Sequence, residues 1–201
     1  MDKPLNKVKG KILAEKIAKE AGVELHKCYQ CGKCTAGCPM AAGMDLMPRQ
    51  VIGCMKMGMM NEVLKSKSIW LCAACHTCVE RCPHNINLAG LMEGSRMEAK
   101  RRGAIGVPEV DKFTDIFMEN VKTFGRNQEV VLEGLYNVTT GHLMQDMVNV
   151  PHMLKHKIVG PDIRITAEAS EVKTLVDTAE VMEAEEEYVK ALAAAEQRKG
   201  M

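Results

Sequence analysis

The chain has 201 residues, with 27 lysines and arginines against 26 aspartates and glutamates. A balance this even gives no long-range field to recruit nucleic acid or an anionic membrane, which leaves proteins or small molecules as partners. The length suffices for one moderate domain with extensions and requires no second folding unit; with one Trp, three Tyr and three Phe against sixteen Met, aliphatic and thioether groups must fill the core, which favours helices.

A disulfide scaffold is one reading of nine cysteines, but the opening run from Met1 to Lys7 lacks the apolar segment of a secretory signal, so the thiols are expected to stay reduced in the cytoplasm. No window approaches the roughly 20 consecutive apolar residues that span a bilayer. The most apolar stretch, Val51 to Met60, is broken by Lys56. Direct membrane insertion is therefore not expected, whereas a membrane-bound partner is compatible with the sequence.

In chain order, residues 8–20 place Val8, Ile12, Leu13 and Ile17 on one side at helical spacing, with Gly22 as a C-terminal cap, and predict an amphipathic helix. Cys28, Cys31, Cys34 and Cys38 then recur at a constant offset of 44 residues as Cys72, Cys75, Cys78 and Cys82, each copy closing in Cys-Pro with Pro39 and Pro83. Of the 33 residues between the copies, 47–57 read as a helix with Pro48 in its first turn and Gly58 just beyond its end. Asn61 is expected to cap a shorter helix over 62–67. Asn87 caps a helix through Leu88, Leu91, Met92, Ser95 and Ala99, which ends on Lys100, Arg101 and Arg102, a basic run suited to a helix C-terminus.

From Gly103 onward the sequence carries no cysteine. Residues 111–124 read as a helix through Phe113, Ile116, Phe117, Val121 and Phe124. The segment from Val150 to Ile165, with Pro151, Gly160 and Pro161, reads as extended and loop-like, and Val172 to Arg198 as a last charged helix with Glu185, Glu186 and Glu187 on a solvated face. No alternating segment is long enough for a substantial sheet. The expected organisation is an N-terminal helix and lead-in over 1–27, a cluster domain over 28–105 and a helical extension over 106–201, all-α throughout.

In Cys-x-x-Cys-x-x-Cys-x-x-x-Cys-Pro, three thiolates from one tight loop cover three corners of a [4Fe–4S] cube. The fourth starts the next helix and, where two copies are present, reaches the other cube. Two [4Fe–4S] clusters are thus expected: Cys28, Cys31 and Cys34 with Cys82, and Cys72, Cys75 and Cys78 with Cys38. The competing reading is two tetrahedral Cys₄ zinc sites in an interaction module without redox chemistry, although zinc sites show separated Cys-x-x-Cys knuckles without a third cysteine and a Cys-Pro at this spacing. Amides of Gly32, Lys33, Ala73 and Ala74 are expected to hydrogen-bond cluster sulfurs. Cys54, lacking a paired neighbour, reads as a buried structural thiol; His26, His76 and His84 flank the clusters as spacers or tuners of potential. No G-x-G-x-x-G or P-loop occurs, nor a hydrolytic grouping, so the chain carries electrons without a substrate-converting centre and its donor and acceptor belong to other chains.

With CYQCGKCTAGCPM at 28–40, MDLMPRQVIGCMKMGMMNEVL at 44–64 and the Ile69-Trp70-Leu71-Cys72 approach to the second motif, the chain resembles the C subunit, the iron–sulfur subunit, of heterodisulfide reductase from methanogenic archaea. The resemblance covers residues 10–105 and is looser beyond. It implies an all-α, helical ferredoxin-like domain. It also implies an electron carrier between two neighbours, the flavin-containing A subunit and the B subunit, whose noncubane clusters reduce the coenzyme M–coenzyme B heterodisulfide. A hydrogenase or formate dehydrogenase would feed the assembly, with flavin-based bifurcation to ferredoxin. An iron–sulfur subunit of another anaerobic dehydrogenase complex is the alternative; such subunits often carry Cys-Cys repeats in the same chain, which this one lacks.

Overall fold

The computed structural model describes residues 5–142, 150–156 and 164–182. Among these there is no strand, as the aromatic-poor, Met-rich composition leads one to expect. The chain divides into two compact units, Met1–Asp111 and Lys112–Met201, where length alone required one.

In the first unit, α1 (Lys7–Glu20) is capped by Asn6, whose side chain accepts from the Lys9 amide. Its buried stripe is Gly10, Leu13, Ala14, Ile17 and Ala18. Leu13 and Ile17 of the face read from the sequence are buried, whereas Val8 and Ile12 face solvent, 69% and 63% exposed, and Gly10, Ala14 and Ala18 take the inward places. The reason is steric. A Cβ on Gly10 would stand 2.0 Å from the Gly58 carbonyl oxygen, so the helix lies with its small residues inward, backbone against backbone.

Next come α2 (Lys33–Ala36), α3 (Pro48–Lys56), α4 (Met60–Lys65), α5 (Ser68–Leu71), α6 (Thr77–Glu80) and α7 (Leu88–Arg101). Helix α3 begins at Pro48, where the missing amide costs nothing, and Gly58 follows its end with φ 72°. Asn87 caps α7 by accepting from the Gly90 amide. Asn61 is no cap: it sits inside α4, accepts from the Leu5 amide and donates to the Leu5 carbonyl at 3.0 and 2.7 Å, pinning the chain that leads into α1.

Helix α1 packs on α3, α4 and α7, α4 also on α3 and α7, and α5 on α7. The core between them holds Ile17, Val51, Met55, Met60, Val63, Ile69, Trp70, Leu91 and Met92, all almost fully buried. Each such side chain contributes about 1.5–3 kcal/mol of apolar burial. Cys28, Cys34, Cys72, Cys78 and Cys82 pack against its margin, which places the two cysteine loops on a rigid base.

The second unit takes in most of α8 (Pro108–Phe124), then α9 (Glu129–Thr140) and α10 (Val150–Lys155). Phe113 lies against Phe117 and edge-on to Tyr136, and buried Asn120 bonds both the amide and the carbonyl of Gln128. Helix α9 has no counterpart in the sequence reading, and α10 corrects it: Val150–Lys155 is helical, with Pro151 in the first turn where proline is tolerated. Residues 169–182 are helical. The predicted last helix matches as far as 182; its remainder, including Glu185 to Glu187, lies outside the described residues.

Candidate metal centre

Both cysteine loops use the same backbone device. Gln30 and Ala74, at equivalent places in the repeat, have φ 63° and 48°; Gly32 and His76, also equivalent, have φ 82° and 57°. Among the described residues four non-glycines have positive φ, and three of them are in these loops. The left-handed conformation costs an L-residue about 1 kcal/mol or more, and it turns successive amides toward a shared centre, the arrangement that receives anionic groups. A short helix follows each loop, and the two, α2 and α6, pack together.

Each loop borders a hollow. The first, of about 410 Å³ including its open mouth, is walled by Cys28, Cys31, Cys34 and Cys82, with Cys78 on the side facing its neighbour. The second, of about 390 Å³, is walled by Cys38, Cys72, Cys75 and Cys78. Each loop therefore meets the last cysteine of the other copy in one hollow. No aspartate or glutamate lines either, which suits a cluster whose four thiolates give it a net negative charge. Among the described residues no group of three or more Cys, His, Asp or Glu side chains is gathered closely enough for a single ion; the cysteines line the two hollows.

The electrostatics repeat with the motif. The Lys33 amide outweighs burial and holds the exposed Cys31 thiol below its usual range, with help from the Tyr29 hydroxyl and the Lys33 charge. The Thr77 hydroxyl and amide do the same for Cys75. Burial pushes the half-buried Cys34 thiol up despite the Thr35 amide, and pushes Cys78 up to about 11, the neighbouring Cys72 adding to it. Of the amides expected to reach sulfur, that of Lys33 does so; those of Thr35 and Thr77 join it.

Three contributors in the first hollow have no counterpart among the residues singled out from sequence. The Gln30 amide donates to Cys28 Sγ at 3.3 Å. Arg49 lines the same hollow, because the Thr35 hydroxyl accepts from its amide and ties the first turn of α3 to α2. Tyr29 meets His84 edge-on at 5.0 Å across the mouth. The left-handed φ at Gln30 is invisible in a sequence; the difference between the copies at 29 and 30 was the available signal. His76 lines the second hollow, whereas His26 lines neither and pairs with Glu24. Cys54 is buried in the core, 9% exposed, its thiol pushed up by burial and by the Glu62 charge.

Residues 24–86 match the family described as a 4Fe-4S dicluster domain. Among curated proteins, the chain is 33% identical over 93 residues to the C subunit of the H(2):CoB-CoM heterodisulfide,ferredoxin reductase of Methanothermobacter thermautotrophicus, covering 46% of this chain and 50% of that protein. It is 30% identical over 123 residues to the second iron-sulfur C subunit of the CoB–CoM heterodisulfide reductase of Methanocaldococcus jannaschii, covering 61% and 63%. With the C subunit of the ferredoxin:CoB-CoM heterodisulfide reductase of Methanosarcina mazei it shares 33% over 104 residues, covering 52% and 63%. The chain spans about half the length of the first of these. Residues 24–86 are thus a 4Fe–4S dicluster domain that binds two [4Fe–4S] clusters, and over this part the chain is a relative of the iron–sulfur C subunit of heterodisulfide reductase.

Proposed function

We propose that the chain is the electron-relay subunit of a heterodisulfide reductase complex, with Cys28, Cys31, Cys34 and Cys82 holding one cluster and Cys38, Cys72, Cys75 and Cys78 the other. The observation that carries this reading is the make-up of the two hollows, each closed by the last cysteine of the opposite copy. Clusters that exchange ligands in this way lie close together, so electrons pass one at a time from one to the other within a single rigid unit. Each cluster takes up one electron and passes on one, so the chain needs no bound substrate of its own.

In the proposed complex the flavin-containing A subunit delivers electrons. The B subunit, with its noncubane clusters, spends them on the coenzyme M–coenzyme B heterodisulfide, which takes two electrons and two protons to give two thiols. A hydrogenase or formate dehydrogenase feeds the flavin, and the assembly works in the cytoplasm. The names of the relatives, C subunits of enzymes that act on the CoB–CoM heterodisulfide, support a place for this chain in such a complex.

Two measurements test the reading. In the anaerobically purified chain, Cys82→Ser is expected to perturb the cluster held by Cys28, Cys31 and Cys34; selective loss of the Cys72–Cys78 cluster contradicts the exchange of ligands. Anaerobic pull-down with the full chain is expected to recover a flavoprotein and a protein with Cys-Cys repeats. Recovery of another kind of dehydrogenase in their place assigns the chain to a different complex.

A further inference from the structure

The internal repeat makes each copy a control for the other. Backbone features cancel: both loops carry the same pair of left-handed residues, both are followed by a four-residue helix, and each hollow is lined by one histidine, His84 or His76. What differs is the side chains that reach the sulfurs. In the first copy Gln30 donates to Cys28 Sγ at 3.3 Å, and Tyr29 and Thr35 are further polar side chains of the loop. At the equivalent places the second copy has Ala74, Ala73 and Val79, and Thr77 alone of these neighbours bonds a sulfur, that of Cys75.

The charges differ in the same direction. Lys33 and Arg49 both line the first hollow; the Arg49 side chain lies along Gly32, where an added Cβ would meet its Cδ at 3.8 Å. Lys56 adds an ammonium on the Cys28 carbonyl at 2.8 Å. Position 77, equivalent to Lys33, is a neutral threonine, and no lysine or arginine lines the second hollow; the apolar share is common to both, with Ile52, Pro83 and Ile86 in the first and Met40, Met44 and Met92 in the second. Arg81 lines neither hollow; its side chain packs on Gly37, next to Cys38 of the second, and is the cation that offsets part of this difference.

Reduction adds one negative charge to a cluster. Hydrogen-bond donors and cations stabilise that charge. We propose that the cluster in the Cys28–Cys31–Cys34 hollow has the higher reduction potential and holds the electron when the chain is half reduced, with Gln30, Lys33 and Arg49 as the residues that set the difference. The expected preference is tenfold or more in the electron-exchange equilibrium, about 59 mV for a one-electron couple. This inference rests on the two-cluster reading.

The test is an anaerobic redox titration of the full chain followed by electron paramagnetic resonance. Two midpoints are expected. Cys28→Ser, which belongs to the first cluster whether or not the copies exchange their last ligand, is expected to alter the signal that appears first. Gln30→Ala with Lys33→Thr, which installs the second copy's residues, should move the higher midpoint down and leave the lower one in place. The reverse graft, Ala74→Gln with Thr77→Lys, should raise the lower midpoint, since the backbone at 74 already has the conformation that Gln30 adopts. Coincident midpoints, or a first signal that follows Cys75→Ser in place of Cys28→Ser, overturn the inference. Fewer than two reducible clusters in the loaded wild-type chain would instead contradict the two-cluster reading itself, and a Cys82→Ser effect on the other signal only the exchange of ligands.

Discussion

Asp45 ties the end of the first copy to the start of the second. Its carboxylate accepts from the Ser66 and Ser68 hydroxyls at 2.6 and 2.7 Å and from the amides of Leu46, Lys67 and Ser68. Burial pushes this carboxyl up, but the hydroxyl and amide donors outweigh it and hold the group well below the usual carboxylate range. Ser66 and Ser68 are themselves buried, so Asp45→Ala leaves two hydroxyls without their acceptor. Charged hydrogen bonds of this kind contribute about 1.5–3 kcal/mol, and because Asp45 remains in contact with solvent the expected loss is about 1–3 kcal/mol in total, read as a lower thermal midpoint. A depressed folded-state pKa means that the contribution is complete above the ordinary aspartate value of about 3.9 and is lost as pH falls further below it. The gap between wild type and Asp45→Asn should therefore stay constant from neutral pH down to about 5; a gap that closes within that range contradicts the assignment.

Cys54 shows what a single residue reveals in sequence. Its position in an apolar helical run, away from the paired motifs, sufficed to read a buried thiol. Burial and the Glu62 charge keep it protonated and unreactive. Cys54→Ala is expected to leave iron content unchanged while costing about 1 kcal/mol for the lost contacts. By contrast, the roles of Gln30 and Arg49 depend on a left-handed turn and on how α3 meets α2, neither of which has a residue-level signature.

For the elements, helix limits were legible where caps and breakers are explicit: Gly22 after α1, Pro48 and Gly58 about α3, Asn87 and Gly103 about α7. Faces were less so. In α1 the larger apolar residues Val8 and Ile12 draw the eye, yet the buried stripe runs through Gly10, Ala14 and Ala18, because close backbone approach selects small residues over hydrophobic ones. Gly10→Ala should be strongly destabilising, about 2 kcal/mol or more, since its methyl group would meet backbone at Gly58 that has no side chain to move aside. Ile12→Ala should cost less than about 0.5 kcal/mol by the same denaturation measurement. Equal effects at the two positions would contradict the observed face. Asn61 teaches the same lesson: its cap-like sequence position is overridden by two bonds to Leu5.

At the scale of the whole molecule, the repeat made the cluster domain legible, because eight cysteines at fixed spacing admit few chemistries and the helical spacer between them shows its caps. The second unit carries no such constraint; its Phe113–Tyr136 contact joins two helices far apart in sequence, and α9, although Gly141 marks its end, starts at Gln128 without a capping side chain. The proposed electron relay stands on two [4Fe–4S] clusters in the first unit. The most direct measurement is iron and acid-labile sulfide per chain after anaerobic purification: about eight of each is the predicted result, and two zinc ions without sulfide would contradict it.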